Sequence, residues 1–217
     1  MFMSFDASFL YARFRRSLTF GRLSFFKAYF KKILPLALPK NEDGKILIHL
    51  GCGDQDDPRY INVDALPFRH VHYVHPITRL PMFEDGCADV IYASHVLEHI
   101  GHKHVRATLQ EWSRVLKPGG ILRIAVPDFT ALVEIYQAHG NDMRVIQKPL
   151  MGAQDYPYNY HMGMFNRTYL TELLEGAGFK EVCLWDPGQA SYYTFQDSAF
   201  EQVAGKPISL NLEAIKK

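Results

Sequence analysis

Short apolar runs bounded by turn residues recur from residue 46 onward, and such runs are typical of buried strands. The strands that this pattern predicts are 46–50, 60–64, 71–75, 89–93 and 121–126. Apolar residues at helical spacing predict helices over about 96–116, 129–138 and 167–177. Alternation of strands and helices in this order predicts an α/β fold with a doubly wound, mostly parallel sheet.

Three segments near the end of the chain complete this expectation. Residues 140–165 are rich in Gly, Pro, Tyr and Met, and we interpret them as a long functional loop or lid. A late strand is expected at 179–185, and the apolar segment 191–195 is interpreted as one more strand.

The first 40 residues differ from the rest of the chain in charge. They carry eight basic side chains and one acidic side chain, a balance of +7, so the other residues carry −6 of the net +1. Residues 9–34 also place apolar side chains at roughly helical spacing. We therefore divide the chain into a basic amphipathic helical extension, 1–40, and a domain, 41–217. The extension is interpreted as a cover for one side of the sheet, as a peripheral contact with an anionic membrane surface, or as a dimer or partner contact.

Composition restricts the class of protein further. The 217 residues suffice for one α/β domain with an appendage, and 47% hydrophobic and 22% charged residues are ordinary for a globular protein. Three cysteines without a CxxC pair favour a reducing compartment, and no apolar run reaches the length of about 18 residues that suggests a membrane span. We therefore expect a cytoplasmic protein. Residues 41–217 have no basic stripe, which argues against a nucleic-acid partner.

The first pair of predicted strands carries the first chemical signal. The run 46–50 ends at the glycine turn Gly51-Cys52-Gly53, and the next run ends at Asp64. In an open parallel sheet, ligands bind outside the carboxyl ends of the strands, and glycines let the backbone approach them closely. A carboxylate that ends the second strand can accept both hydroxyls of a ribose. The arrangement therefore predicts a nucleoside-binding site, although a tight turn with a surface acid remains the simpler interpretation of these residues alone.

Downstream motifs narrow this prediction. They read LPMFEDGCAD at 80–89, HVLEH at 95–99, RVLKPGG at 114–120, HMGMF at 161–165 and LLEGAGF at 173–179. In this order the chain resembles the class I S-adenosylmethionine-dependent methyltransferases in their type 11 form, over about residues 45–180. The likeness is greatest to a subgroup often associated with bacterial surface-polysaccharide genes. It implies a Rossmann-like methyltransferase fold.

The resemblance also implies S-adenosylmethionine as the cofactor. The cofactor-binding residues that it assigns are Gly51, Cys52, Gly53, Asp64, Ile77, Ser94 and His95. The glycine turn would lie against the amino-acid end of the cofactor, Asp64 would hold the ribose diol, and the backbone around Ile77 would face the adenine. Ser94 and His95 would line the floor between cofactor and acceptor.

The chain departs from the family pattern at four places in the cofactor motifs. Gln55 replaces the third glycine, His49 replaces the acid that often precedes the first, and Pro76 stands where an adenine-binding Asp is frequent. The stretch from Gly53 to Asp64 is also too short for a full helix between the strands. These departures leave open an alternative function, a non-catalytic binding or scaffold module with the methyltransferase fold.

The acceptor is expected to be a small molecule or a glycan, methylated at a hydroxyl. A hydroxyl acceptor benefits from a base, for which His95 and His161 are the candidates. Asp128, after the fifth strand, is a candidate for binding the acceptor or for capping the next helix. Asn159 and Tyr160 lie in the predicted lid and are further acceptor-binding candidates.

The letters HVLEH also match HxxEH, a zinc-protease pattern. Because the methyltransferase motif explains the same letters, we assign no metal site. A metal-dependent methyltransferase that uses His95, Glu98, His99 and His161 remains the alternative.

Overall fold

A computed structural model of the chain describes residues 36–217, so the helices expected within 9–34 lie outside the described residues. The strands are β1 Leu47–Leu50, β2 Tyr60–Asp64, β3 Tyr73–Val74, β4 Ala88–Ser94, β5 Leu116–Pro127, β6 Phe179–Leu184, β7 Gln202–Val203, β8 Lys206–Pro207 and β9 Ser209–Lys216. The α-helices are α1 His102–Val115, α2 Phe129–Ala138, α3 Met143–Met151 and α4 Arg167–Gly176. Short 3-10 helices cover Leu97–His99 and Ser198–Phe200.

Seven strands form one mostly parallel sheet in the order β3-β2-β1-β4-β5-β9-β6. Strands β1 to β5 pair in parallel, and β9 runs antiparallel between β5 and β6. The inner strands are buried along almost their whole length, as the continuous apolar runs require when both faces are covered. The predicted α/β doubly wound fold is confirmed, and its topological switch point lies between β1 and β4.

The two faces of the sheet are covered differently around β1. On one face, α1 and α4 bury Leu109, Trp112 and Leu174 against the strands. On the other face, the irregular segment 185–199 packs an aromatic cluster that includes Trp185 and Phe195. Residues 51–59 contain turns and no helix, so the short connection predicted between β1 and β2 is confirmed.

Two of the predicted elements were wrong in part because turns interrupt them. The helix expected over 96–116 is split, since Ile100 and Gly101 have extended backbone that ends the 3-10 turn before α1 begins. The lid expected over 140–165 is irregular only from residue 152, because Met143–Met151 forms a helix. Asp142 caps that helix by accepting a hydrogen bond from the backbone N–H of Arg144.

The end of the chain was also predicted incorrectly. The segment 191–195 is not a strand: Tyr192 has a φ of +58°, and the side chain of Phe195 packs in the aromatic cluster instead. The last strand of the sheet, β9, was missed although its burial alternates along Ser209–Lys216 as its sequence does. No helix in the described part of the chain is both long and apolar enough to cross a membrane.

Candidate active site

A cavity of about 1250 Å³ opens at the carboxyl ends of β1, β2 and β4, beside the switch point. All seven residues expected to bind the cofactor line it, namely Gly51, Cys52, Gly53, Asp64, Ile77, Ser94 and His95. The connections after these strands therefore converge on one space, as the strand order demands.

The glycine turn between β1 and β2 needs its two glycines for different reasons. Gly51 has a φ of +66°, and a Cβ on it would lie 2.2 Å from Cγ1 of Val96. Gly53 has a φ of +54°, but a Cβ there would meet no atom of residues 36–217 within 4 Å. Gly51 is therefore required by close packing against the segment after β4, whereas Gly53 leaves open space along the cavity wall.

Asp64 ties the end of β2 to this turn. Its Oδ2 accepts a hydrogen bond from the backbone N–H of Gly53 at 2.8 Å, and its Oδ1 accepts one from Leu66 at 2.7 Å. Burial raises the pKa of the Asp64 carboxyl, although these two backbone N–H groups oppose the shift. Each oxygen keeps a lone pair, so the carboxylate can still accept hydrogen bonds from a diol that enters the cavity.

His49 gives the same wall a ring nitrogen without a partner among the described residues. Its ring is buried against Tyr60, Tyr92 and Phe195, and burial lowers its pKa to about 3. Within the described residues its Nδ1 has no hydrogen-bond partner, and the residue lines the cavity. A neutral imidazole can present a lone pair to an ammonium group, so His49 fits the amino-acid end of the expected cofactor where an acid is more usual.

The edge expected to face the adenine is held by hydrogen bonds from α1. Trp112 Nε1 donates to the carbonyl oxygen of Ile77 at 2.9 Å. Pro76 lines the cavity at this edge without an N–H group, but Thr78 and Arg79 line it too. Sequence reasoning missed these two residues, because only their position after β3 places them there.

Arg114, the arginine of the RVLKPGG motif, forms hydrogen bonds with the LPMFEDGCAD motif. Its guanidinium donates to the carbonyl oxygens of Leu80 and Phe83 and to the carboxylates of Asp85 and Glu111. The segment that follows the adenine edge is thereby fixed to α1.

His95 lies directly after β4, with a φ of +50°. Ser209 Oγ donates to Asn211 Oδ1 at 2.9 Å and therefore accepts from the Nε2–H of His95 at 3.0 Å. The His95 Nδ1 lies 3.4 Å from Glu98 Oε1 and 3.8 Å from Glu201 Oε2. Burial alone would lower the pKa of His95, but the hydrogen bond and negative charge of Glu98, together with Glu201, raise it above its usual value.

A second group of titratable residues, which we call the histidine cluster, consists of Glu98, His99 and His161. One ligand atom from each lies within 4.8 Å of the other two. Burial alone would raise the pKa of Glu98, but the hydrogen bond and charge of His95 keep it below its usual value. Burial lowers the pKa of His161. His99 lines the cavity and His161 lies against His99, with 4.9 Å between the ring centroids.

The residues expected to bind the acceptor lie elsewhere. Asp128 caps α2 by accepting from the backbone N–H of Thr130, and Asn159 donates to Asp155. Tyr160 accepts a hydrogen bond from His99 through its carbonyl oxygen. Asp128, Asn159 and Tyr160 are absent from the cavity lining. Tyr156, Tyr158 and Met162, from the same expected lid, line the cavity instead.

The segment after β6 contributes residues that sequence reasoning did not consider. Gln196, Asp197, Ser198, Phe200 and Glu201 all line the cavity. Asp197 accepts hydrogen bonds from the hydroxyls of Tyr92 and Tyr193, which anchors this segment over β4.

Solved structures with the same fold confirm the architecture. A methyltransferase from Thermotoga maritima, described as a possible histamine N-methyltransferase, is 19% identical with a TM-score of 0.51, over 97% of this chain and 96% of that one. An S-adenosylmethionine-dependent methyltransferase from Archaeoglobus fulgidus is 18% identical with a TM-score of 0.52, over 97% of this chain and all of that one. No curated protein matches the sequence.

The sequence itself matches a family model described as a methyltransferase domain over residues 22–184, well over half of the chain. The matched range contains the glycine turn, Asp64, the adenine edge and the histidine cluster. The chain therefore belongs to the methyltransferase-domain family, and it is an enzyme whose methyl donor is S-adenosylmethionine.

Proposed function

We propose that this methyltransferase acts on a hydroxyl group of a small-molecule or glycan acceptor. The observation that carries the proposal is the position of His95 on the cavity floor, beside Ser94 and directly after β4. Among glycans, surface polysaccharides are the class that the motif resemblance favours.

The cofactor side of the proposal uses the wall formed by β1 and β2. The glycine turn and His49 would hold the amino-acid end, Asp64 the ribose diol, and the backbone at Ile77 the adenine. When bound, S-adenosylmethionine supplies a methyl group on a sulfonium, which is electrophilic without further activation. The protein has only to position the acceptor, exclude water and help remove the acceptor's proton.

The acceptor side uses the imidazoles at the floor. We propose His95 as a positioning residue on the floor beneath the acceptor, because Ser209 and Glu98 hold its ring in place through both nitrogens. His161 is the second proposed catalytic residue, reached through the neighbouring His99. Tyr156 and Tyr158 give the cavity flat apolar surfaces that suit the apolar face of a sugar ring.

We also propose that a larger acceptor contacts Asp128, Asn159 and Tyr160. Asp128 neighbours the lid through a bridge to Phe165, and Tyr160 is tied to His99. An acceptor longer than the cavity would extend over these residues.

The extension 1–40 is proposed as a separate unit from the domain 41–217, and the protein as cytoplasmic. The +7 charge of the extension supports a peripheral contact with an anionic membrane surface, which suits a lipid-linked glycan acceptor.

The test is methyl transfer from labelled S-adenosylmethionine to a panel of sugars, other alcohols and amines. We expect label in the hydroxyl acceptors and a fall in kcat of more than about tenfold for His95→Asn and His161→Asn. His102→Asn, on the exposed start of α1, is the matched control and should keep the wild-type rate. Label found only in amines would contradict the proposal.

A further inference from the structure

The histidine cluster combines the residue types that bind transition metals. One carboxylate and two imidazoles come within 4.8 Å of one another, and two of them are neighbours on the 3-10 turn after β4. Ligands bound at about 2.1 Å in a tetrahedral site lie roughly 3.4 Å apart, so only small side-chain movements separate this arrangement from a coordinated one.

The environment of Glu98 is the first independent sign that the histidine cluster holds a ligand. The residue is 1% exposed, and neither Oε1 nor Oε2 accepts a hydrogen bond of normal geometry from the described residues. His95 Nδ1 is 3.4 Å from Oε1, a long contact for a charge-assisted hydrogen bond. Buried carboxylates in this condition are rare unless they are paired closely or coordinate a metal.

The tautomer of His99 is the second sign. Its Nδ1 lies 3.1 Å from the carbonyl oxygen of Tyr160. A carbonyl can only accept, so Nδ1 carries the proton, and in the neutral ring Nε2 carries a lone pair. Metal-binding histidines are usually held in this way, with the other ring nitrogen donating to a backbone carbonyl.

The backbone holds the two halves of the cluster together. The carbonyl oxygen of Glu98 accepts from the N–H groups of Met162 at 2.7 Å and Gly163 at 3.0 Å. The N–H of His161 donates to the carbonyl oxygen of Met151 at 3.1 Å. The relative positions of Glu98, His99 and His161 are therefore fixed by the fold, even though 62 residues separate the two histidines in the sequence.

We propose that Glu98, His99 and His161 bind one divalent transition-metal ion, of which Zn²⁺ is the representative, beside the cavity. Three protein ligands leave a coordination position open, and His99 connects the site to the cavity. The ligand proposed for that position is the hydroxyl oxygen of the acceptor, and this part alone rests on the proposed function. Metal binding would then use His161 as a ligand, and the bound ion would acidify the hydroxyl in place of a free base.

This site differs from the zinc-protease interpretation of the same letters. That pattern needs both histidines on one face of an α-helix, whereas His95 here precedes a 3-10 turn and lies outside the trio. The expectation that no metal site is present came from explaining HVLEH by the methyltransferase motif alone. The third ligand, His161, comes from a segment that only the fold brings near.

The test is calorimetric titration of untagged, chelator-treated full-length protein with Zn²⁺ alone. We expect one ion per chain, and at least about 100-fold weaker binding for Glu98→Gln and for His161→Ala, since even the partners of metal ligands typically contribute 10- to 100-fold. His102→Ala is the matched control for loss of a histidine and should bind as tightly as the wild type. Titration of each variant with S-adenosylhomocysteine shows that it remains folded.

Absence of stoichiometric Zn²⁺ binding in the wild type would overturn the metal site. Equal binding by the wild type, Glu98→Gln and His161→Ala would also overturn it. Methyl transfer to a hydroxyl acceptor by protein that binds no metal would leave the proposed function intact. Zn²⁺ bound as expected, with label transferred only to amines, would instead leave the metal site standing without the hydroxyl acceptor.

Discussion

Two walls of the same cavity, the glycine turn and the histidine cluster, are built in opposite ways. At the glycine turn, residues within 14 positions satisfy one another, as when Asp64 accepts from the N–H groups of Gly53 and Leu66. In the histidine cluster, Glu98 has only a long contact with His95 among the described residues, and its neighbour His161 comes from a distant segment. The backbone turn of the first wall is held in place without a ligand, whereas the second leaves a buried carboxylate with one long contact, to His95.

The largest expected effect tests how rigid the glycine turn is. Gly51→Ala combines a left-handed backbone with a Cβ 2.2 Å from Val96, so we expect a loss of about 2–5 kcal/mol in the free energy of unfolding. Binding of S-adenosylhomocysteine should be lost as well. Urea unfolding and calorimetry measure the two effects.

Gly53→Ala is the matched control for Gly51→Ala. Its φ is also positive, but a Cβ on it meets no atom of the described part of the chain, so only the backbone strain of about 1–2 kcal/mol should reduce the stability. Cofactor binding should still weaken at least tenfold, because the methyl group takes space along the wall. Equal stability losses for the two variants would show that the close approach of Val96 is not what requires Gly51.

The second prediction concerns His49, whose neutral ring is buried beside the glycine turn. Burial lowers the pKa of His49 to about 3, whereas an unfolded histidine titrates near 6.5. Between these values the unfolded chain binds the proton and the folded one does not, so stability is full above pH 6.5 and falls as the pH decreases. The slope from this group is about 1.4 kcal/mol per pH unit, or about 2.7 kcal/mol between pH 6.5 and 4.5.

Urea unfolding as a function of pH checks this prediction. His49→Gln removes the titration, so its stability should fall with a shallower slope than that of the wild type over the same pH range. Identical slopes would mean that the ring is accessible to protons in the folded protein.

The third prediction moves to the histidine cluster, where a glycine is also needed. Gly152 has a φ of +77°, and a Cβ on it would lie 2.5 Å from the carbonyl oxygen of Asn159 and 3.1 Å from the His161 ring. Gly152→Ala should cost about 2 kcal/mol of stability and displace His161. We expect weaker Zn²⁺ binding with unchanged S-adenosylhomocysteine binding, both measured by calorimetry.

Gly140→Ala is the control for Gly152→Ala. Its φ is +69°, and a Cβ on it would meet no atom within 4 Å among the residues that the structure describes. Unchanged Zn²⁺ binding is expected in this variant. If Gly152→Ala weakened the binding of Zn²⁺ and of S-adenosylhomocysteine equally, the two walls would be coupled rather than separate.

The smallest expected effect concerns the adenine edge. Arg114→Lys replaces a planar guanidinium by a single ammonium. The guanidinium donates hydrogen bonds to Leu80, Phe83, Asp85 and Glu111, and an ammonium cannot keep all of them. We expect a loss of about 1–2 kcal/mol in stability and a few-fold weaker binding of S-adenosylhomocysteine. Lys117→Arg, which keeps its charge beside Asp89 away from the cavity, should change neither quantity.

The contrast between the walls also explains what the sequence could predict. The parallel strands and the helix 129–138 were predicted because each depends on a short stretch of chain, and for the same reason the seven residues expected on the cofactor side all line the cavity. The strand predicted over 191–195 was wrong because apolar content alone does not distinguish a strand from residues that pack against a sheet. The lining by Tyr156, Tyr158 and residues 196–198, 200 and 201 depends on contacts between distant segments. No local pattern contains that information.

The most direct test of the central claim is calorimetric titration of the full-length protein with S-adenosylhomocysteine, for the wild type and Asp64→Ala. The cavity at the glycine turn predicts one molecule bound per chain with micromolar affinity, and binding weakened by at least about 100-fold when the carboxylate is removed. No binding by the wild type up to millimolar concentration, or equal binding by Asp64→Ala, would contradict the account.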